Sequence, residues 1–168
     1  MDRIPIALLL LTLLGCGYRF VDERAVFADA RRIQLVTFEN RSTEPGYEQM
    51  LVDAISEEFV RRGALRPVYG AAQGELVMRG EIRQVRVRAS SFSSVALAVE
   101  DRVEIQLDIA VTRAADDELV WERENFEFSE LFLSSPDPQV YESNKEQALR
   151  RLSALIAERI HDELFQRF

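Results

Sequence analysis

The sequence predicts an α+β fold, a two-layer sandwich in which a four-stranded mixed or antiparallel sheet carries two helices packed on one face, in the order β-α-β-β-β-α. Two patterns support this class. Apolar residues recur at helical spacing in two segments, at about 47–62 and about 140–168. Apolar and polar residues alternate over residues 102–112, which is typical of a strand with one packed face and one wet face. The apolar stripes of the helices must be buried, and the sheet offers the surface for them.

The first two elements are a strand and a helix. Residues 32–38 form the first predicted strand, although their apolar side chains alternate only partly. The turn and cap formers of residues 40–46 then lead into a helix over about 47–62, and Gly63 takes the C′ position, where a positive φ costs glycine little. The helix should bury one face. The predicted inner set is Leu51, Ile55 and Phe59, and the outer set is Glu48, Asp53, Glu57, Glu58 and Arg61.

Three further strands are expected to form an antiparallel meander. In residues 75–88 the apolar positions change phase at Arg83 and Gln84, which a strand can do only through a bulge or a bend. A turn over residues 114–117 leads into the last strand, 118–128, which also changes phase. The middle strand alternates without a break, and its packed face should contain Val103, Ile105, Leu107, Ile109 and Val111.

A second helix is predicted from about residue 140 to 168, after the breaker at residues 134–138. Its length is more than twice the average of about 11–12 residues. His161, the only histidine, stands among charged neighbours, and we interpret it as a surface residue and not as a catalytic base. The apolar stripe of this helix consists of Leu149, Leu152, Ile156, Ile160 and Leu164, with Ala148 and Leu155 beside it.

The N-terminus has the pattern of a bacterial lipoprotein signal. Residues 4–14 are almost entirely apolar, which is too short for a membrane span of about 20 residues and suits a secretory h-region of roughly 7 to 15. Leu13 and Gly15 precede Cys16 as in a lipobox, so Cys16 is expected to be lipidated. Gly17 after the cysteine is not the aspartate that retains enterobacterial lipoproteins at the inner membrane, and this favours the outer membrane.

The predicted domain organisation follows from this signal. Residues 1–15 are the signal peptide, 16–30 the lipidated N-terminus and tether, and 31–168 a single α/β domain, a length that suits one core. The net charge of -8 argues against general binding to nucleic acid. The one cysteine is assigned to lipid, so we expect neither a disulfide framework nor a thiolate metal site.

Four arginines cluster around a serine-rich segment between the second and third strands, within an otherwise acidic chain. They are Arg83, Arg86, Arg88 and Arg102. Arginine suits phosphate because its guanidinium donates in a bidentate fork, so the cluster is a candidate contact for lipopolysaccharide. The alternative is ordinary cross-strand pairing with Glu100, Asp101 and Glu104.

The serine-rich segment itself has two interpretations. Residues 89–98 suit a long hairpin loop with an apolar side chain folded back, or a tip that contacts a partner protein. In the second case the candidate contacts with a β-barrel are Ser90, Ser91, Phe92, Ser93 and Ser94.

No pattern in the sequence indicates an enzyme. It contains no nucleophile elbow, no glycine-rich phosphate loop and no spacing of metal ligands. The adjacent acidic pairs at residues 57–58 and 116–117 lie on a helix and in a turn. We therefore predict a binding protein with no cofactor, no metal and no catalytic residue.

Several short segments occur in an order and spacing that cover nearly the whole chain after residue 15. They are Gly15-Cys16-Gly17-Tyr18-Arg19-Phe20, residues 33–40, Ser42-Thr43-Glu44-Pro45-Gly46, residues 54–63, residues 76–82, Leu119-Val120-Trp121 and Ala148-Leu149. Each segment is weakly specific on its own. Together they resemble the LptE family, the lipopolysaccharide-assembly lipoproteins.

The resemblance implies a lipoprotein anchored in the outer membrane by its N-terminal lipid, facing the periplasm or lying within a barrel lumen. Its partners would be an LptD-type β-barrel, which it plugs and helps to assemble, and lipopolysaccharide on its way to the outer leaflet. No known contact residue of the family is matched here by a recognisable motif. The alternative is a lipoprotein adaptor or activator for a cell-wall synthase or a secretion channel.

Overall fold

The computed structural model describes residues 30–70, 74–92 and 98–166. The predicted signal peptide, Cys16 and most of the predicted tether lie outside the described residues. In chain order the elements are β1 (Arg32–Leu35), β2 (Glu39–Asn40), α1 (Tyr47–Arg62), β3 (Arg66–Val68), β4 (Leu76–Phe92), β5 (Ala98–Arg113), β6 (Leu119–Leu133) and α2 (Pro138–Gln166).

The strands form one mixed sheet in the order β3-β1-β4-β5-β6, and β2 pairs with β4 beyond the end of β1. β1 is parallel to β3 and to β4, whereas β4, β5 and β6 form the predicted antiparallel meander. The α+β class and the mixed sheet are confirmed. The predicted number of four strands was wrong, because the described residues form six. The two additional strands could not be recognised from periodicity, because β2 has two residues and β3 has three. One residue of β3 is Pro67, and proline favours the edge of a sheet. The predicted strand over residues 32–38 ends at Leu35.

The phase changes predicted from the sequence are present as irregularities of the ladder. The register of β4 against β5 shifts between Ile82 and Gln84. On β6 the register shifts around Asn125, whose φ is 52°. At the end of α1, Gly63 has φ 72° and donates its N–H to Phe59 O at 3.0 Å, as expected of the glycine that ends a helix.

One apolar core lies between the sheet and the two helices, which also pack on each other. The predicted packed face of β5 is buried along its whole length, and so is the predicted stripe of α2. Leu155 was wrongly placed beside that stripe, since it is 48% exposed. Helix α2 is thus amphipathic as expected and covers β6 and part of β5.

Two polar residues predicted at the surface are buried. His161 is 0% exposed, and its ring lies 5.2 Å from that of Phe59 and 4.5 Å from that of Phe165. It is buried because α2 packs against both α1 and the sheet, so two adjacent positions in each turn are covered. Glu58 is buried as well, and its carboxylate accepts hydrogen bonds from Arg61 and Arg62. The sequence pattern of one helix does not show what a second helix covers.

Candidate functional site

The candidate site lies on the face of the sheet that the helices leave open. Along β5 the odd-numbered side chains from Asp101 to Val111 are buried, and the even-numbered ones point to the other side and are half-buried. The antiparallel register places Arg86 opposite Glu104 and Arg88 opposite Arg102, so these residues share the open face. The open face therefore carries the arginines that the sequence singled out.

The four arginines differ in their partners. Arg83 follows Ile82, where the register shifts, and pairs with Asp108 of β5. The Nε of Arg88 lies 3.4 Å from a carboxylate oxygen of Glu104, and the Nη1 of Arg102 donates to Ser129 Oγ at 3.0 Å. Among the described residues, Arg86 has no carboxylate within 4.0 Å. The cluster is thus partly paired, and exposed pairs of this kind contribute little to stability.

The carboxylates that were weighed as cross-strand partners behave differently from one another. Glu104 pairs with Arg88, as that alternative expected. Glu100 accepts a hydrogen bond from Ser91 Oγ at 3.2 Å. Asp101 is buried on the helix side of the sheet and contacts Tyr141, whose pKa is raised mainly by burial and also by this carboxylate. Pairing therefore accounts for Arg83 and Arg88, and Arg86 is available to a ligand.

A groove of about 490 Å³ crosses the open face beside these arginines. Side chains of β4, β5 and β6 line it, and most of them are polar. They include Gln84, Arg86, Arg88, Glu104, Gln106, Glu127 and Ser129. The groove is open to solvent along its length, and its hydrogen-bonding groups and guanidinium groups suit an anionic polar ligand better than an apolar one.

Asp108 lies between two ends of the open face that differ in charge, because arginines and glutamates balance in the groove near the hairpin and carboxylates outnumber arginines at the other end. Its carboxylate pairs with Arg83 at the irregularity of β4 and accepts the backbone N–H of Asn125, at 2.8 Å, at the irregularity of β6. Beyond it, away from the β4–β5 hairpin, a second groove of about 450 Å³ is mainly acidic. The carboxylates there include Glu39, Glu81, Glu122 and Glu124. The acidic end is not apparent in the sequence, because its carboxylates come from three separate strands.

The described residues of the serine-rich segment, 89–92 and 98, are strand. Ser90, Ser91 and Phe92 belong to β4, and Ser90 is exposed. Ser93 and Ser94 lie outside the described residues. The role of these five residues as barrel contacts stays a prediction.

Groups of three or more histidine, cysteine, aspartate or glutamate side chains that could hold a metal ion do not occur among the described residues. None of the helices in those residues is both long and apolar enough to cross a membrane.

Comparisons with known proteins assign a family. The family model of LptE, described as lipopolysaccharide-assembly, matches residues 30–164. No curated protein matches the chain by sequence.

Solved structures with the same fold are distant in sequence. A Caulobacter crescentus protein described as a candidate lipoprotein has a TM-score of 0.56 and 12% identity, covering 77% of this chain and 88% of that one. A hypothetical protein from Chlamydia trachomatis has a TM-score of 0.54 and 9% identity, covering 80% and 97%. A Xanthomonas campestris protein has a TM-score of 0.50 and 16% identity, covering 80% and 84%. At these identities the likeness shows the fold alone, whereas the family match spans most of the chain. This chain therefore belongs to the LptE family of lipopolysaccharide-assembly lipoproteins.

Proposed function

We propose that this chain is an outer-membrane lipoprotein, held by lipid on Cys16, that plugs an LptD-type β-barrel and helps it to assemble. In that position it contacts lipopolysaccharide on its way to the outer leaflet. The observation that carries the proposal, beside family membership, is the group of arginines on the open face at the hairpin end of the sheet.

Lipopolysaccharide contact follows from the chemistry of the arginines. The ligand carries phosphates and carboxylates, and guanidinium binds both through charge-assisted hydrogen bonds. Arg86 has no carboxylate within reach in the described residues, and Arg88 is 60% exposed beside it. These two side chains can reach an anionic group in the groove without breaking the core.

A plug must present polar surfaces to a hydrated lumen, because the interior of large membrane barrels is polar. The open face of the sheet carries side chains of both charges, and the outer surfaces of α1 and α2 are charged as well. The domain packs around a single core, so it can enter a lumen as one rigid body.

Reversing both charges tests the contact with lipopolysaccharide. We expect Arg86→Glu with Arg88→Glu to weaken binding about tenfold or more, since each lost charge-assisted hydrogen bond contributes roughly 1.5–3 kcal/mol. Binding is measured with purified lipopolysaccharide, and thermal unfolding checks the fold.

The matched control is Arg66→Glu with Arg79→Glu, which changes the net charge equally but lies on β3 and at the acidic end of β4. It should bind as the wild type does. Equal binding by the wild type and the Arg86/Arg88 variant would remove these arginines from the proposal.

The lipid anchor has its own test. Radiolabelled palmitate should be incorporated into the wild-type chain and not into Cys16→Ser. Absence of label on the wild type would contradict the anchor.

A further inference from the structure

The two edges of β4 are not equally paired. On one edge the strand pairs with β5 over almost its whole length. On the other edge β1 pairs with Leu76–Met78 and β2 with Glu81–Ile82. Beyond Ile82 none of the described strands pairs with this second edge. The segment from Gln84 to Ala89 also lies between two register shifts and is itself regular.

The hydrogen bonds of the neighbouring residues show which backbone groups point outward there. Ala114 N donates to Glu75 O, next to the start of β4. Because backbone groups point alternately to the two sides of a strand, the even-numbered residues of β5 direct their N–H and C=O groups to β4. The residues of β4 that pair with them, among them Arg86 and Arg88, therefore direct their backbone N–H and C=O groups towards β5. Val85, Val87 and Ala89 therefore direct their N–H and C=O groups to the outer edge. Among the described residues nothing bonds to those groups.

The remaining edges of the sheet are protected. On β6 the irregularity at Asn125 interrupts the edge, and side chains of α2 bind two of its carbonyls. Asn144 Nδ2 donates to Leu133 O at 2.9 Å, and Arg151 Nη2 to Leu131 O at 3.5 Å. β3 is short and contains Pro67. Bulges, prolines and covering side chains are the usual means of preventing unwanted strand pairing. The described part of the chain leaves the segment Gln84 to Ala89 without such protection.

The side chains along this segment define the occupant. Arg86 and Arg88 lie on the open face, whereas Val85 is buried and Val87 is 37% exposed on the helix side. A strand added here places alternate side chains on the two faces. Acidic side chains would meet the arginines, and apolar ones would cover Val87. A second copy of this chain would bring its own arginines against these, which is unfavourable.

We propose that the edge of β4 from Gln84 to Ala89 is a docking site for an extended segment of another protein, in which acidic and apolar residues alternate. The segment adds to the sheet in line with β1 and β2. Its backbone supplies the hydrogen bonds, and the alternation supplies the specificity, as in other cases of strand addition. The site shares Arg86 and Arg88 with the proposed groove for lipopolysaccharide, but its hydrogen bonds are to backbone groups on the strand edge, which the groove does not use.

The test uses the full-length chain in mild detergent and a synthetic twelve-residue peptide in which glutamate alternates with valine or threonine. Val87→Pro removes an outward N–H without removing a bond to β5. Fluorescence anisotropy measures the affinity, and hydrogen exchange locates the peptide. We expect protection of the amides of Val85, Val87 and Ala89, and an affinity about tenfold lower for Val87→Pro.

Three controls make the outcomes decisive. Leu131→Pro makes the same change on the protected edge of β6 and should leave the affinity unaltered. An arginine-valine peptide should bind the wild type more weakly and should bind Arg86→Glu with Arg88→Glu more tightly. Val87→Pro should still bind lipopolysaccharide, which separates failure of this site from failure of the proposed function.

Four results would overturn the inference. One is equal peptide affinity of Val87→Pro and the wild type, and another is absence of binding. A third is protection of the three amides before peptide is added, which would show that the chain's own N-terminal residues cover the edge. The last is a dimer that Val87→Pro dissociates, which would assign the edge to a second copy.

Discussion

The side chain of Glu75 joins the beginning of β4 to the beginning of β1. Its carboxylate accepts the backbone N–H groups of Arg31 and Arg32, at 3.2 and 2.8 Å, and the Arg32 guanidinium at 2.7 Å. The hydrogen bond from the Arg32 side chain is the main reason that the pKa of Glu75 falls from 4.5 to about 2. Glu75 is therefore charged over the whole physiological range and links the two neighbouring strands at this corner.

Glu75→Gln should destabilise the domain by about 1 kcal/mol at pH 6, a modest value because Glu75 is 37% exposed and solvent screens the pair. A carboxylate whose folded pKa is lowered contributes fully above its unfolded pKa and loses that contribution as the pH falls towards the folded pKa. The difference in unfolding free energy between the wild type and the variant should thus shrink between pH 4.5 and pH 2. Urea denaturation at several pH values measures it.

The control for this prediction is Glu118→Gln, whose partner Arg113 lies 3.1 Å away in an exposed turn. It should change stability by less than about 0.5 kcal/mol at each pH. A Glu75→Gln effect that stays constant from pH 6 to pH 2.5 would contradict the account of this carboxylate.

For the four arginines, the sequence predicts the cluster but not the partner of each side chain. Their clustering could be recognised, because three of them lie within six residues of one strand and the fourth lies near the start of the next. Their partners could not, since Asp108 meets Arg83 only through the register of two strands and the irregularity between Ile82 and Gln84. The prediction that His161 lies at the surface was wrong for a related reason, because its burial depends on the position of α1.

At the scale of elements, β4 approaches the loop after β1 so closely that Gly80 has no room for a side chain. A Cβ at Gly80 would lie 2.5 Å from the ring of Phe38, which is itself buried. Gly80→Ala should therefore cost about 2 kcal/mol through overpacking. Chemical denaturation of the variant measures the loss.

A second substitution distinguishes crowding from other effects of the alanine. In a Phe38→Leu background, Gly80→Ala should cost clearly less than in the wild type, so the double-mutant cycle should show favourable coupling. Additive effects of the two substitutions would rule out the contact with Phe38 as the cause.

The beginning of α2 depends on Asp137. Its Oδ1 accepts the backbone N–H of Gln139 at 2.8 Å and that of Val140 at 3.4 Å, and Pro138 occupies the first helical position, where its missing N–H costs nothing. Asp137→Ala should lower the unfolding free energy by about 1 kcal/mol. Thermal and urea unfolding of the variant test this.

Asp137→Ser provides the control, because serine caps helices about as well as aspartate. It should restore most of the lost stability. If Asp137→Ser is as unstable as Asp137→Ala, the capping bond is not what Asp137 contributes.

Elements with a strong period were predictable, and short ones were not. The alternation of β5 and the stripe of α2 were identified from the sequence because each repeats over several turns or residue pairs. β2 and β3 are too short to show a period. β3 pairs with β1 only because α1 returns the chain to the sheet, and β2 pairs with β4 only through the path of the chain after β1. β6 continues to Leu133, beyond the predicted end at residue 128, because β5 is long enough to pair with it.

At the scale of the whole molecule, the open face is polarised. Near the β4–β5 hairpin two arginines and two glutamates line the groove, whereas carboxylates outnumber arginines at the other end, in a chain that carries a charge of -8. Such a distribution orients the domain with respect to anionic ligands and to charged partners. In a barrel lumen it would place the hairpin end nearest to lipopolysaccharide.

We propose that this member of the LptE family works inside an LptD-type barrel. Co-purification of the lipid-anchored, full-length chain from outer membranes in mild detergent tests this proposal, with Cys16→Ser as the control for anchoring. We predict that a large β-barrel protein is retained in stoichiometric amount. Retention of a peptidoglycan synthase or a secretion channel, with no such barrel, would contradict the claim and favour an adaptor.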